Sequence, residues 1–416
     1  MNFIRIALCA LLAFAVLSYG AVEVWSQSIL EIGAAALFLL WSILQFRDAK
    51  AVMEWNPLNL PFLGFIGVGF LQWLLRATAY AFLTRVDLLR LAAYFLLFFL
   101  FAQAFRKRPA IEAFCWFLVI LSFLISLFGI AQYFTSNGKI YWVQALAIPS
   151  EFFGPYVNRD HFAGFVELTM PTGLALIAFR GVRREAVPVL TILAVVPLSA
   201  IALSGSRSGL IVAAVQILLL LGLSQARGGA NRRGWGAVGL VALAAGALIA
   251  WVGFGQTIKR FSGTSPQSIA AERRISMARG ALHIFADHPI KGSGLGTLVD
   301  VYPRYETRYD GRIIDHVHND YIEALAETGL AGALCGAAFL WLLFREARRS
   351  FAADQGHFSR AFHGGAIVAV AGLLIHSLVD FNLHIPANAL LFLMQASLAT
   401  SSPLPGGSGP SRGERR

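Results

Sequence analysis

The sequence predicts an all-α integral membrane protein of about twelve transmembrane helices, with one large outer loop containing short amphipathic helices. Three observations carry that class. The 416 residues are 57% hydrophobic and only 14% charged, with a mean hydropathy of +0.64. Apolar runs of roughly 17–25 residues, long enough to cross ~30 Å of hydrocarbon, recur along the chain. The runs are too long and too uniform for barrel strands, and backbone groups in lipid must be satisfied within their own segment, so the spans are helical.

Taken in order, the first segment, 3–20, resembles a signal peptide but lacks a small-residue cleavage site and reads as an uncleaved first helix. Segment 28–46 stops at Arg47 and Lys50, and 58–75 is apolar but interrupted by Gly and Pro. Segment 86–105 closes on Arg106-Lys107-Arg108, and 112–134 completes an N-terminal group of five helices over 1–134. Helices 161–179, 186–203, 208–224 and 235–253 make up 135–254, which begins with an outer loop at 135–160. The long polar stretch 255–320 is the large outer loop. Helices 321–344, 361–380 and 384–400 fill 321–400, and the Ser-, Pro-, Gly- and Arg-rich tail 401–416 reads as disordered. Cys9, Cys115 and Cys335 all lie in apolar runs with no metal or redox spacing, so they read as small packing residues.

The net charge of +11 would suggest a nucleic-acid partner in a soluble protein. Here most basic residues stand in short loops, so membrane topology explains them and no nucleic-acid partner is expected. With the N-terminus cytoplasmic, the inner loops hold Arg47 and Lys50, Arg106 to Arg108, Arg180, Arg183 and Arg184, Arg227, Arg232 and Arg233, and Arg345, Arg348, Arg349 and Arg360. The opposite short loops hold few. Both termini are therefore expected in the cytoplasm and 255–320 on the outer side. That loop is itself basic, which suits an anionic ligand such as a phosphate or pyrophosphate.

The chemistry-bearing residues cluster on that outer side. His316-Val317-His318-Asn319-Asp320 stands at the mouth of a helix, where the dipole and free N–H groups favour an anion. His318 there is a candidate general base toward a hydroxyl, and His316 with His318 lacks a zinc-type spacing, so no metal is expected. Upstream, apolar positions 275, 278, 281/282 and 285 predict an amphipathic helix on the membrane face, with Arg274 and Arg279 roughly 140° apart on it. Arg207, in the polar hinge Ser204-Gly205-Ser206-Arg207-Ser208-Gly209, is costly at a bilayer edge without an anion or a wet cavity. Asn158-Arg159-Asp160-His161 delivers polar side chains to a helix start on the same side. Gly292-Ser293-Gly294-Leu295-Gly296-Thr297 reads as a flexible turn without a nucleotide-binding context. His376 and Asp380, at i and i+4, read as a structural hydrogen-bonded pair.

Together these residues resemble the O-antigen ligase and polymerase family of bacterial envelope enzymes. The carriers are the hinge with Arg207, the Arg274 helix running into Asp287-His288-Pro289 and Gly292-Ser293-Gly294, and His318-Asn319 followed by Gly329 and Gly332. The Asn158-to-Gly164 segment belongs to the same likeness, which spans roughly 150–385. The resemblance implies an inverting, metal- and cofactor-independent glycosyltransferase of the GT-C type in the bacterial inner membrane, its active site facing the periplasm. Its donor would be a glycan on undecaprenyl pyrophosphate and its acceptor lipid A core or another glycan. By this likeness Arg207 and Arg274, or Arg279 in its place, hold the pyrophosphate, and His318 takes the acceptor proton. Asn319, His316, Asn158 and His161 stand on the acceptor side. The chain departs from the family pattern at Ala278, where an aromatic is usual, and in lacking two adjacent threonines beyond Gly329. Ligase and polymerase therefore both stay open, and a polysaccharide-lipid flippase or an envelope scaffold is the reading from another class.

Overall fold

The computed structural model describes residues 1–47, 53–146, 152–226, stretches of 235–247, and 265–404 apart from 308, 310 and 312. Helices account for nearly all of its regular structure, and the described residues contain no β-sheet. They are α1 (Asn2–Leu17), α2 (Val24–Phe46), α3 (Asn59–Leu74), α4 (Ala81–Ala104), α5 (Arg108–Thr135), α6 (Arg159–Ala178), α7 (Val187–Ser204) and α8 (Arg207–Ala226). Further along the chain come α9 (Ser265–Asp287), α10 (Asp320–Ala353), α11 (His357–His376) and α12 (Pro386–Ala399). Eight helices are long and apolar enough to cross a membrane, and α1, α3 and α12 are shorter apolar helices. The chain is a multi-pass membrane protein. Its apolar helices expose Phe3, Ile6, Leu39, Leu63, Ile192 and Ile211, side chains whose natural surroundings are lipid. The expected helix over 235–253 falls largely outside the described residues, as does most of the tail.

Helix α6 is the axis of the bundle: its whole apolar window is buried, against α5, α7, α8 and α11. Pro171 lies inside it. Proline has no N–H, so the carbonyl of Glu167 loses its i+4 donor. The amide of Gln216 on α8 takes that role, donating to the Glu167 carbonyl at 2.8 Å. One residue on, Gln395 of α12 donates to the Leu168 carbonyl at 2.6 Å. In lipid no water could satisfy the Glu167 carbonyl, so a neighbouring helix supplies the donor.

Helix α9 and the described residues that follow it pack against α10 through a second small core. Met277, Ala281 and Ile284 of α9 are buried with Leu298, Val301, Tyr302, Val317 and Ala326. This corrects the expected face of that helix. Side chains 277, 281 and 284 pack inward, while Ile275 and Leu282, at 53% and 42% exposure, form the outward stripe. The packing partners Tyr302, Val317 and Ala326 come from distant sequence, so helical periodicity alone could not choose between the two apolar stripes.

The glycine-rich turn is also not loose. Gln72 of α3 donates to the Glu327 carbonyl at 2.8 Å and accepts from the Leu295 N–H at 3.0 Å. Glu327 accepts from the N–H groups of Gly296 and Leu298, each at 2.9 Å. The turn enters α10 where Gly329 breaks the helix at φ +61°. There the N–H groups of Leu330 and Ala331 donate to the carbonyls of Pro289 and Ile290, at 2.9 and 3.1 Å. A Cβ at Gly329 would collide with the Ile290 carbonyl, so only glycine admits this approach.

Candidate functional site

Asn319 is the N-cap of α10, accepting from the N–H groups of Tyr321 and Ile322 at 3.0 Å each. An Asn side chain there satisfies donors that the helix leaves open. Its amide also donates to the Leu378 carbonyl at 2.8 Å, and the Asp320 N–H donates to Ser377 O at 3.1 Å. The start of α10 is thus stitched to the loop that follows α11. His318, immediately before the cap, has φ +52°, a left-handed conformation uncommon for a non-glycine residue and often found at functional positions.

That backbone turn aims His318 at Asp380. Its Nδ1 lies 3.0 Å from Oδ1 of a carboxylate only 1% exposed, while the His318 side chain is 28% exposed. Nε2 of His161, at the first turn of α6, is 3.7 Å from the other oxygen of Asp380. Phe381 sits among three imidazoles, edge-on to His161 and His318 at 4.6 and 4.9 Å and stacked on His316 at 4.4 Å. Burial pushes the Asp380 carboxyl up, but His161 and His318 outweigh it and hold the group well below the usual carboxylate range. An ionised carboxylate only accepts, so Nδ1 of His318 is the donor and carries the proton. Nε2 then presents its lone pair away from the carboxylate, with no protein partner among the described residues.

A second cluster adjoins the first. His384 Nδ1 meets Asp320 Oδ1 at 2.7 Å, and its Nε2 lies 3.3 Å from Glu323 Oε1. His316 Nδ1 lies 2.6 Å from that same oxygen. Glu323 Oε2 accepts from the Val317 N–H at 3.0 Å, and Asp320 Oδ2 from the Leu383 N–H at 3.1 Å. Burial pulls the His384 pKa down, yet the Glu323 and Asp320 carboxylates outweigh it and lift it to about 10. His316, Glu323 and His384 offer three ligand atoms within 4.8 Å of one another, the residues here that could hold a metal ion.

Of the residues predicted from sequence, His316, His318, Asn319 and His161 come together around Asp380 and Phe381. Asn158 caps α6, accepting from the Asp160 N–H at 2.9 Å. Arg207 opens α8, whose Gly209 lies against Ala163 of α6, so the hinge abuts the helix that carries His161. Arg274 and Arg279 are exposed on α9, whose inner face reaches Val317 but carries neither guanidinium to His318. The expected pairing of His376 with Asp380 is corrected. Helix α11 ends at His376, so Asp380 is not on its face. His376 turns to Glu167 of α6, Nδ1 to Oε1 at 2.9 Å. Asp380 as the partner of His318 was the residue missed, since it lies 62 positions away. The only sequence signal for it was the polar run 376–384 on the same expected side.

Residues 192–337 match the family model described as O-Antigen ligase, which bears out the resemblance read from the residues. The match includes the hinge, α9, the glycine-rich turn and His318. No curated protein matches the chain at a significant level.

Proposed function

We propose that this chain is a membrane glycosyltransferase that moves a glycan from undecaprenyl pyrophosphate to an acceptor hydroxyl at the periplasmic face of the bacterial inner membrane. It would act as an O-antigen ligase or as a polymerase of the same superfamily. The observation that carries the reading is the His318–Asp380 pair: a half-exposed imidazole, oriented through Nδ1 by a buried carboxylate, with Nε2 left for a substrate. The family match at 192–337 supports the substrate class.

In this reading Nε2 of His318 takes the proton of the acceptor hydroxyl as that oxygen attacks the anomeric carbon. The bond from that carbon to the pyrophosphate oxygen breaks, and undecaprenyl pyrophosphate leaves with the electron pair. Attack opposite the leaving group inverts the anomeric centre. Asp380 steadies the imidazolium that forms, a positioning role. Arg207, at the polar hinge beside α6, offsets charge developing on the diphosphate, where a preorganised cation is most effective. Arg274 and Arg279, on the exposed side of α9, would meet the donor's headgroup at the bilayer surface.

The test is reconstitution of the purified protein with undecaprenyl-pyrophosphate oligosaccharide, with and without lipid A core, and analysis of products by mass. Glycan on lipid A core identifies a ligase, and longer polyprenyl-linked chains without added acceptor identify a polymerase. Passage of the donor across the bilayer with no transfer would replace the enzyme reading by a transporter.

A further inference from the structure

We propose that His316, Glu323 and His384 form a divalent-cation site of the zinc type at the mouth of α10. Two imidazoles and one carboxylate with a fourth position open is a donor set suited to Zn²⁺, which takes nitrogen and oxygen ligands tetrahedrally. Among the described residues these three side chains bring their ligand atoms within 4.8 Å of one another.

The surroundings favour a built site over a chance cluster. His384 gives Nδ1 to Asp320 at 2.7 Å, which turns Nε2 toward Glu323. That carboxylate–imidazole arrangement is how metal-ligating histidines are usually oriented. Glu323 is anchored through Oε2 by the Val317 N–H at 3.0 Å, leaving Oε1 between the two rings at 2.6 and 3.3 Å. Phe381 stacked on His316 at 4.4 Å fixes that ring's plane. Glu323 is 2% exposed while the His316 and His384 side chains are 26% and 23% exposed. The site is thus rigid below and open to solvent above, where water or an anionic ligand oxygen would complete the shell. The closest ligand pair, His316 Nδ1 and Glu323 Oε1 at 2.6 Å, must widen to about 3.3 Å, the edge of a tetrahedron with bonds near 2.0–2.1 Å, a shift of about 0.7 Å on a partly exposed ring.

Such an ion would clamp three separate stretches: the residues before α10, the first turn of α10 and the loop before α12. It lies beside the proton path assigned to His318 and requires no part in it, so the inference stands whether or not the transferase reading does. The expectation of no metal weighed His316 against His318. The fold pairs His316 with Glu323 and His384 instead.

The experiment is equilibrium dialysis of the full chain in detergent, stripped with chelator and titrated with Zn²⁺, with Mg²⁺ and Ca²⁺ in parallel, reading metal per chain by elemental analysis. One Zn²⁺ per chain is expected, with Mg²⁺ and Ca²⁺ far weaker, and Co²⁺ should give the intense visible absorption of a four-coordinate ion. Asp320→Asn should weaken Zn²⁺ about 10–100-fold without changing the stoichiometry. His384→Ala should remove the stoichiometric ion, with Glu323→Gln as the variant that conserves shape if the alanine chain does not fold. A His283→Ala/His288→Ala chain, which removes the exposed His283 of α9 and the half-buried His288 just after it, should keep the ion. Absence of stoichiometric Zn²⁺ in the wild type, or full-strength binding in both His384→Ala and Glu323→Gln, overturns the proposal.

Discussion

Two histidine–aspartate pairs mark the two ends of α11, and they are built to opposite specifications. Near its start, His363 Nδ1 meets Asp354 Oδ2 at 2.6 Å, and its Nε2 reaches Ser401 O at 3.1 Å. Ser359 donates to the other Asp354 oxygen at 2.5 Å, and both residues of the pair are 0% exposed. Every nitrogen is occupied by protein. Beyond the far end, about 20 Å away along a helix rising 1.5 Å per residue, His318 shows the same Nδ1 contact to Asp380, but its Nε2 faces outward. The chemistry of the two pairs is the same; what distinguishes them is whether the second nitrogen is spent on the fold. A histidine–carboxylate contact is therefore no sign of a site by itself, and the open nitrogen is.

The comparison breaks most sharply on substitution of the two histidines. His318→Ala should lower transfer by on the order of 10²–10⁴-fold, the usual share of a general base, with the melting temperature little changed. Equal activity of this variant and wild type in the reconstituted assay would show that the open nitrogen is idle. Asp380→Asn conserves shape but offers His318 a partner that no longer enforces the same tautomer. We expect kcat to fall about 10–10³-fold with KM nearly constant, whereas a purely structural role would move stability and leave kcat per folded molecule alone. His363→Ala should do the reverse. Breaking a buried pair costs about 3–5 kcal/mol, seen as a lower melting temperature, with turnover per folded molecule retained.

The smallest effect concerns pH. The folded pKa of His384, lifted to about 10 by Glu323 and Asp320 despite its burial, lies above the value of about 6.5 for a free histidine. A raised histidine stabilises the fold fully below the unfolded value and loses that contribution as pH rises through the folded one. Metal-free wild type should therefore lose melting temperature between pH 6.5 and 10. His384→Gln should flatten that slope, and an identical slope in both would assign the pH dependence elsewhere.

Much of this architecture was legible in the residues. Eleven of the twelve expected apolar segments coincide with helices, because apolar runs of bilayer length carry their own signal. The start of a helix at Asn319 or Asp320 and the gathering of His161, His316 and His318 on one side were also readable from type and position. What could not be read was whatever depends on distant partners. Asp380 serves His318 across 62 residues, and the inward face of α9 was decided by Tyr302, Val317 and Ala326. The glycine-rich turn looked loose because nothing local shows that Gln72 and Glu327 would hold it. The kink at Gly329 follows from the same turn, since a helix interrupted to admit another segment has no periodic signature.

The amide that reaches the Glu167 carbonyl sets an order of assembly. The carbonyl of Glu167, whose helical donor Pro171 removes, waits for Gln216, 49 residues on. During synthesis the central helix must therefore reside in the membrane with an unmet backbone acceptor until α8 has been made and inserted. A chain cut short before Gln216 could place its earlier spans and still expose that gap in hydrocarbon, a mark by which unfinished molecules differ from finished ones.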